Sequence, residues 1–444
     1  MRKISTVGMV LVAGIGLLAG CSTKTTPKAT SGSTTGSSVP SAPSPAQGVT
    51  SSSIRVGVTY VDFSAIRNVV NIDQGDFRTS YQALVDDINA KGGIDGRKIQ
   101  LYFAPVNPIG TAPAAQACTQ LTEDDHVFVV LGFFNGTDPL CYLDTHGVNI
   151  IGGPATGASL SPAQQAAEKG TWFTTTLTPG HLFPKEMDVF EKEGVFKGQK
   201  VAVVAAAADQ SQMGLVLPEL KKLGVDVVQT AINDVSPTDV SAAYREYATI
   251  GLKFQSAGAT AVVAVGESAS QGWPASLQAN HSTYLPKLVA TEWDSLYAWI
   301  TGKGGYEPAV LNGAVTALGS EDNVAAWQGA GMARCAALIS AAHPSEPVIV
   351  PTAANQTKQP ATWVSAEQAC TNITLLEDIL RAAGHNLDNQ TFNAGGESLK
   401  NVVIPGSGAA GPMTFSAQYH DGNAPIVIYD WNSAKEAFDS HVAS

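Results

Sequence analysis

Short β-branched runs alternate with amphipathic helical stretches from Ile54 through most of this 444-residue chain, and few folds accept such a rhythm. "IRVGVTY" opens the pattern as a strand. From Asp76 to Ala90, Phe77, Tyr81, Leu84 and Ile88 then fall on one stripe of a helix. In "KGGIDGRKIQLYF", Gly92 and Gly93 supply the positive φ that ends a helix, and a second strand begins near Lys98. A helix around Ala112 to Thr122, the strand "VFVVLG", a helix from about Pro139 and the strand "VNIIGG" follow. The loop "PATGASLSP" then leads into another helix. The rhythm pauses between Phe173 and Pro184 and restarts with the strands "QKVAVVAAA", "VDVVQTAI", "ATAVVAVG" and "PKLVAT"; the longest helix runs from Thr238 to Ala257. One more strand, "LNGAVTAL", precedes two helices carrying Cys335 and Cys370, and the Pro-rich stretch His343 to Gln359 reads as a loop or insertion. "GPMTFSAQYHDGNAPIVIYDWN" alternates and turns like a terminal hairpin. The pattern predicts an α/β protein whose parallel sheets are covered by helices on both faces, and the pause divides it into two lobes. A body of roughly 390 residues exceeds one ordinary core and suits two.

Ahead of the body, Arg2 and Lys3 precede an apolar run ended by small residues, the build of a secretory signal peptide over residues 1–20. Leu18, Ala19, Gly20 and Cys21 resemble the bacterial lipobox, in which the cysteine is acylated. Each buried acyl CH2 on Cys21 contributes about 0.8 kcal/mol of membrane affinity. The segment Cys21 to Ser53 is Ser, Thr, Pro, Gly, Ala and Lys with hardly any large apolar side chain, which predicts a disordered tether. The expected location is therefore extracytoplasmic, lipid-anchored to the cell membrane. A formal net charge of -12 argues against nucleic acid as a partner. Beyond the leader the most apolar window, "VAVVAAAADQ", meets Asp209 within a strand's length and does not span a bilayer.

With Cys21 assigned to lipid, Cys118, Cys141, Cys335 and Cys370 remain. Four cysteines allow three connectivities; proximity favours Cys118 with Cys141 and Cys335 with Cys370, each loop contributing about 3 to 4 kcal/mol. No C-x-x-C spacing occurs and the histidines are scattered, so neither a metal nor another cofactor is expected. "GSGAAG" from Gly406 has dinucleotide-loop spacing, but Pro412 and "MTF" follow where a helix is required.

"INAKGGIDGRKIQL", "DDHVFVVLG", "VNIIGGPATGASL", the second-lobe strands and the late "GPMTF...YDWN", in that order, resemble the leucine/isoleucine/valine-binding family of periplasmic solute-binding proteins. The resemblance implies the type I periplasmic-binding-protein fold: two Rossmann-like lobes joined by three hinge crossings, with ligand held between them. By that analogy the first lobe is 54–178 plus 312–410, and the second is 179–311 plus 411–444. The implied partners are an amino acid or amide-like solute and an ABC permease, the receptor itself being a monomer. Open parallel sheets agree, since they bind ligands beyond the carboxyl ends of their strands.

In that family a ligand carboxylate is taken by backbone N–H groups and hydroxyls of the first lobe, at loops entering helices, where unpaired N–H groups and the dipole favour an anion. The resemblance places Asn135, Gly136 and Thr137 of "GFFNGT" there, with Ala155 and Thr156 of "GGPATG". The same residue types cap helices in any α/β protein. The ammonium partner falls on Glu292 in "LVATEWDS". Trp293 and Trp273 are aromatic plates for the cleft wall or else core packing. The family's amino-acid binders carry a serine where Gly136 stands and a tyrosine where Glu267 and Ser268 stand, which leaves a peptide amide, a urea-like compound or an aromatic acid open as ligand. The tethered module also suits a sensor for a membrane signalling partner. A secreted hydrolase is the third reading, because "GESAS" nearly forms a nucleophile elbow around Ser268, although Ser270 stands at the second glycine position.

Overall fold

The computed structural model describes residues 46–66, 73–108, 112–134, 138–153, 169–236, 239–300, 305–318, 323–328, 331–352, 361–406, 412–422 and 426–443. Five strands form the first sheet: β1 (Ser53–Val61), β2 (Lys98–Val106), β3 (Val129–Gly132), β4 (Asn149–Gly152) and β5 (Trp172–Phe173), in the order β2-β1-β3-β4-β5. All its pairings are parallel, and β1 matches β2 from Ser53 against Lys98 to Val61 against Val106. The expected helix is α1 (Phe77–Ala90), which starts because the Asp76 carboxylate accepts from the Thr79 N–H at 3.1 Å. It stops at the Gly-Gly pair: Gly93 has φ +79, and a Cβ there would stand 1.9 Å from the Arg97 carbonyl oxygen. α2 (Ala112–Thr119) follows β2.

After Phe173 the chain enters α3 (Pro179–Lys192) and a second sheet. Its strands are β6 (Val201–Ala206), β7 (Val227–Asn233), β8 (Ala261–Val265), β9 (Lys287–Ala290), β10 (Val315–Leu318), β11 (Val427–Asn432) and β12 (Ala437–Val442). Between them lie α4 (Gln210–Lys222), α5 (Val240–Ser256), α6 (Glu267–Ala279) and α7 (Trp293–Ile300). The strand order is β12-β11-β10-β9-β8-β6-β7. Parallel pairing holds from β7 to β10, and β11 and β12 add an antiparallel hairpin. Each sheet is covered on both faces. Val56, Leu131, Phe173, Ile373 and Phe392 pack on one face of the first, with Val130, Leu143 and Ile150 on the other. On the second, Phe183, Met187, Val203 and Val263 pack on one side, and Ala202, Val262, Phe254 and Trp273 on the other. Helices α8 (Met332–Ala342), α9 (Trp363–Ala383) and α10 (Asn389–Ser398) return to the first sheet, where Met332, Leu376 and Phe392 join its core.

The architecture is therefore two doubly wound sheets, with the chain passing between them after Phe173, after Leu318 and after Phe415. Four expectations change in detail. The tether expected to run to Ser53 is ordered from residue 46, because Val49 packs in the first core, the Arg55 N–H donates to the Gly48 carbonyl at 2.8 Å and β1 starts at Ser53; the rest of the expected leader and tether, with Cys21, lies outside the described residues. β10 pairs with β9 and β11, so Val315–Leu318 lies in the second sheet, although a boundary at Asn312 places it in the first lobe. The closing hairpin is formed by β11 and β12, whereas Met413 bridges Val402 and Phe415 belongs to the first core. Cys118 and Cys141 are disulfide-bonded, but Cys335 and Cys370 are buried free thiols in hydrogen-bonding contact, which corrects the expected second bond. Buried thiols on packed helices serve as small apolar side chains and do not require oxidation. Among the described residues no helix is long and apolar enough to cross a membrane.

Candidate functional site

In an open α/β sheet the crevice beyond the carboxyl ends is widest where neighbouring strands send their connections to opposite faces. The first sheet has that point between β1 and β3, and the second has it between β6 and β8. At the second, Asp209 leaves β6 as Gly266, Glu267 and Ser268 leave β8. Asp209 Oδ2 accepts from the Ser268 backbone N–H at 3.2 Å. Only glycine fits beside it: Gly266 has φ +83, and an added Cβ would lie 2.4 Å from the Asp209 Cβ. Asp209 is 5 % exposed, and burial pushes its carboxyl up to about 6 against the hydrogen bonds from Ser268; Glu267 adds to the rise.

β9 ends next door. Thr291 Oγ1 accepts from the Gly266 N–H at 2.9 Å, and the Glu292 N–H donates to Ser270 Oγ at 3.2 Å. These bonds hold the ends of β8 and β9 in register, so Ser268 and Glu292 share one sheet edge. Glu292 is 6 % exposed. Beneath it, α3 contributes Glu186, fully buried, whose carboxyl is held well above the usual carboxylate range by burial and then by the Glu292 charge. A carboxyl in that setting keeps its proton unless a cation arrives.

Trp293 stacks on Tyr429 of β11, with ring centroids 4.0 Å apart and planes 8° from parallel, and meets Phe438 of β12 edge-on at 5.2 Å. It is half-buried and carries the edge of the site onto the terminal hairpin. Trp273 is fully buried against Tyr247 and Phe254, so it belongs to the core and walls no ligand site. Asp209 takes hydrogen bonds from both the backbone and the side chain of Ser268. Among the described residues no histidine bonds the Ser268 hydroxyl.

In the first sheet β3 and β4 end side by side, Gly132 opposite Gly152. Gly132 has φ +134, with the Thr59 carbonyl oxygen 1.8 Å from where a Cβ would stand, and Trp172 Nε1 donates to the Gly152 carbonyl at 2.8 Å. Asn135, Gly136 and Thr137, which follow β3, and Ala155 and Thr156, which follow β4, lie outside the described residues. Of the expected site residues, the structure thus gathers Ser268, Glu292 and Trp293 at the second sheet.

Sequence reading missed Asp209 and Glu186. Asp209 carried a signal, an acid at the end of the apolar run "VAVVAAAADQ". Glu186 carried a subtler one, since it occupies the apolar stripe of α3 with Leu182, Phe183, Met187 and Phe190.

Two doubly wound sheets linked by three passages of the chain, with buried carboxyl groups at the strand ends of the second, are the architecture of bilobal solute-binding proteins. The periplasmic binding protein family model matches residues 53–436, and the chain belongs to that family. Solved structures share the fold. A leucine-binding protein from Thermotoga maritima is 12% identical with a TM-score of 0.57, over 88% of this chain and 99% of that one. An ABC transporter substrate-binding protein from Desulfitobacterium hafniense in complex with Leu is 14% identical, with a TM-score of 0.55, over 88% and 100%. An R. palustris solute-binding protein in complex with 4-hydroxybenzoate is 13% identical, with a TM-score of 0.57, over 88% and 95%. The comparison with curated proteins found no match.

Proposed function

We propose that the chain is the extracytoplasmic substrate-binding lipoprotein of an ABC importer, tethered through Cys21 and residues 22–45, that captures an amino acid of the branched-chain type or a similar small polar solute and delivers it to a membrane permease. The observation that carries this reading is Glu292, buried at the carboxyl end of β9 beside the point where Asp209 and Ser268 meet. There it takes the ligand's ammonium, while Asn135 to Thr137, with Ala155 and Thr156, take the carboxylate. Trp293, braced by Tyr429, covers the apolar part. Contacts from both lobes favour the closed form, so ligand shifts the open and closed populations. The tether keeps the receptor's effective concentration near the permease high.

Solved neighbours with Leu and with 4-hydroxybenzoate bracket the ligand choice between a zwitterion and an aromatic acid. Glu292, buried at the end of β9, favours the zwitterion, because its carboxylate attracts an ammonium and repels a lone anion. A thermal-shift panel of amino acids, amides and aromatic acids tests the reading. An amine-bearing solute is expected to raise the melting temperature by mass action. Cys21→Ser is expected to move the protein from membranes to the medium, and retention on membranes would refute the anchor.

A further inference from the structure

The first and third passages between the sheets run side by side. The Thr174 N–H in the first donates to the His420 carbonyl in the third at 3.0 Å. One residue on, Asp421 gathers three donors on a single oxygen. Its Oδ2 accepts from the Thr178 N–H at 2.8 Å, from the Thr178 hydroxyl at 2.7 Å and from His181 Nδ1 at 2.7 Å. Thr178 caps the start of α3, and His181 lies in its first turn. Asp421 is 1 % exposed, an anion placed where two crossings meet. The Tyr419 ring covers His181 at 4.6 Å, and on the other side His420 lies over Phe173 at 4.5 Å and bonds Glu397 of α10 at 3.1 Å.

We propose that Asp421 is the positioning residue of the hinge, bolting the third crossing to the first so that the two bend as one strap, and that His181 makes the bolt proton-sensitive. Such a bolt matters because hydrogen bonds to a charged acceptor are roughly twice as strong as neutral ones. Loosening it frees two crossings to move independently and broadens the range of lobe angles. Lys185, one turn further along α3, interacts with Asp421 and has its ammonium pulled down by burial; Glu397 faces His420 on the first-lobe side. The Asp421 hydrogen bond is the main cause that raises the His181 imidazole above its ordinary range. Burial pushes the Asp421 carboxyl up, but the bonds from His181 and Thr178 together leave it below the usual carboxylate range. The bolt is complete between those two limits and loses its charge-assisted arm as pH rises through the raised His181 value.

Hydrogen exchange on the full chain carrying Cys21→Ser tests this without any ligand. Amides of Thr174 to Thr178 are compared with Val203 and Val263 in the second sheet, which report overall opening, between about pH 6 and about pH 9. In the unsubstituted hinge, exchange at Thr178 is expected to gain on the control amides as pH rises. In His181→Gln that gain should vanish. In Asp421→Asn, Thr178 should exchange roughly tenfold faster or more at every pH, with the control amides unchanged and the small-angle scattering curve broadened. Equal pH behaviour in the native hinge and His181→Gln would overturn the proton-sensitive arm. Thr178 protection and scattering unchanged in Asp421→Asn would overturn the bolt. Should Asp421→Asn fail to fold, Thr178→Val, which removes the hydroxyl donor alone, is read in its place with the same two outcomes.

Discussion

Asp209 and Ser268 follow different strands of the second sheet, β6 and β8, and meet across its switch point, where the Asp209 carboxylate accepts the Ser268 backbone N–H at 3.2 Å. This contact joins β6 to β8 at the edge where the fold gathers Glu292, and it depends on Gly266 at φ +83. Replacing Gly266 with Ala forces a Cβ into the Asp209 side chain and strains the backbone. Gly266→Ala should cost about 1 to 3 kcal/mol in urea unfolding and weaken ligand binding, whereas Gly258→Ala, with φ +73 and open space around it, should cost only the backbone part.

Asp209 also makes stability depend on pH. Its carboxyl is raised to about 6 in the fold, so the folded protein holds this proton more tightly than the unfolded chain does. The contribution is fully present below the unfolded value and is lost as pH climbs from about 4 to about 6, to a total of about 3 kcal/mol. Asp209→Asn should flatten that part of the stability profile measured by chemical denaturation between about pH 4 and about pH 7. An unchanged slope would show that Asp209 is not the group responsible.

Glu186 should behave in the same direction over a wider range, since its carboxyl sits well above the carboxylate range. Glu186→Gln keeps the shape and removes the ionisable proton. It should stabilise the ligand-free protein at neutral and alkaline pH and converge with the native chain in acid, read as the difference in melting temperature across pH.

The cysteines give a chemical test. Unfolding without reductant, in the chain carrying Cys21→Ser, should release two reactive thiols, Cys335 and Cys370, while Cys118 and Cys141 stay joined. Reduction of that one bond, which closes a loop of 23 residues, should lower stability by about 3 kcal/mol. Release of no thiols would restore the second disulfide expected from proximity alone.

Periodicity made the scaffold legible: the α1 stripe, the Gly-Gly stop and the strands from "IRVGVTY" to "PKLVAT" all stand where apolar spacing put them. Register across long distances was not legible. "LNGAVTAL" reads equally well as a strand of either lobe, and only its pairing with "KLVA" decides. Similarly, "AFDSHV" is exposed and weakly patterned, so nothing local marks it as the partner of β11. At the site, Glu292 and Ser268 were named from the family resemblance, and both follow strands of the second sheet closely. Trp273 showed the limit of that logic: it sits near a strand end in sequence, but helical phase turns it into the core. Glu186 was hidden for the opposite reason, an acid on an apolar stripe far from any strand end.

Calorimetric titration of the strongest ligand from the panel into the native chain and into Glu292→Gln bears most directly on how the second lobe holds its solute. Affinity should fall at least tenfold in Glu292→Gln, with the ligand-free protein still folded and unfolding in one cooperative transition. Equal affinity in the two proteins, or a panel in which no amine-bearing solute binds at millimolar concentration, would remove Glu292 from the binding site and with it the proposed mode of capture.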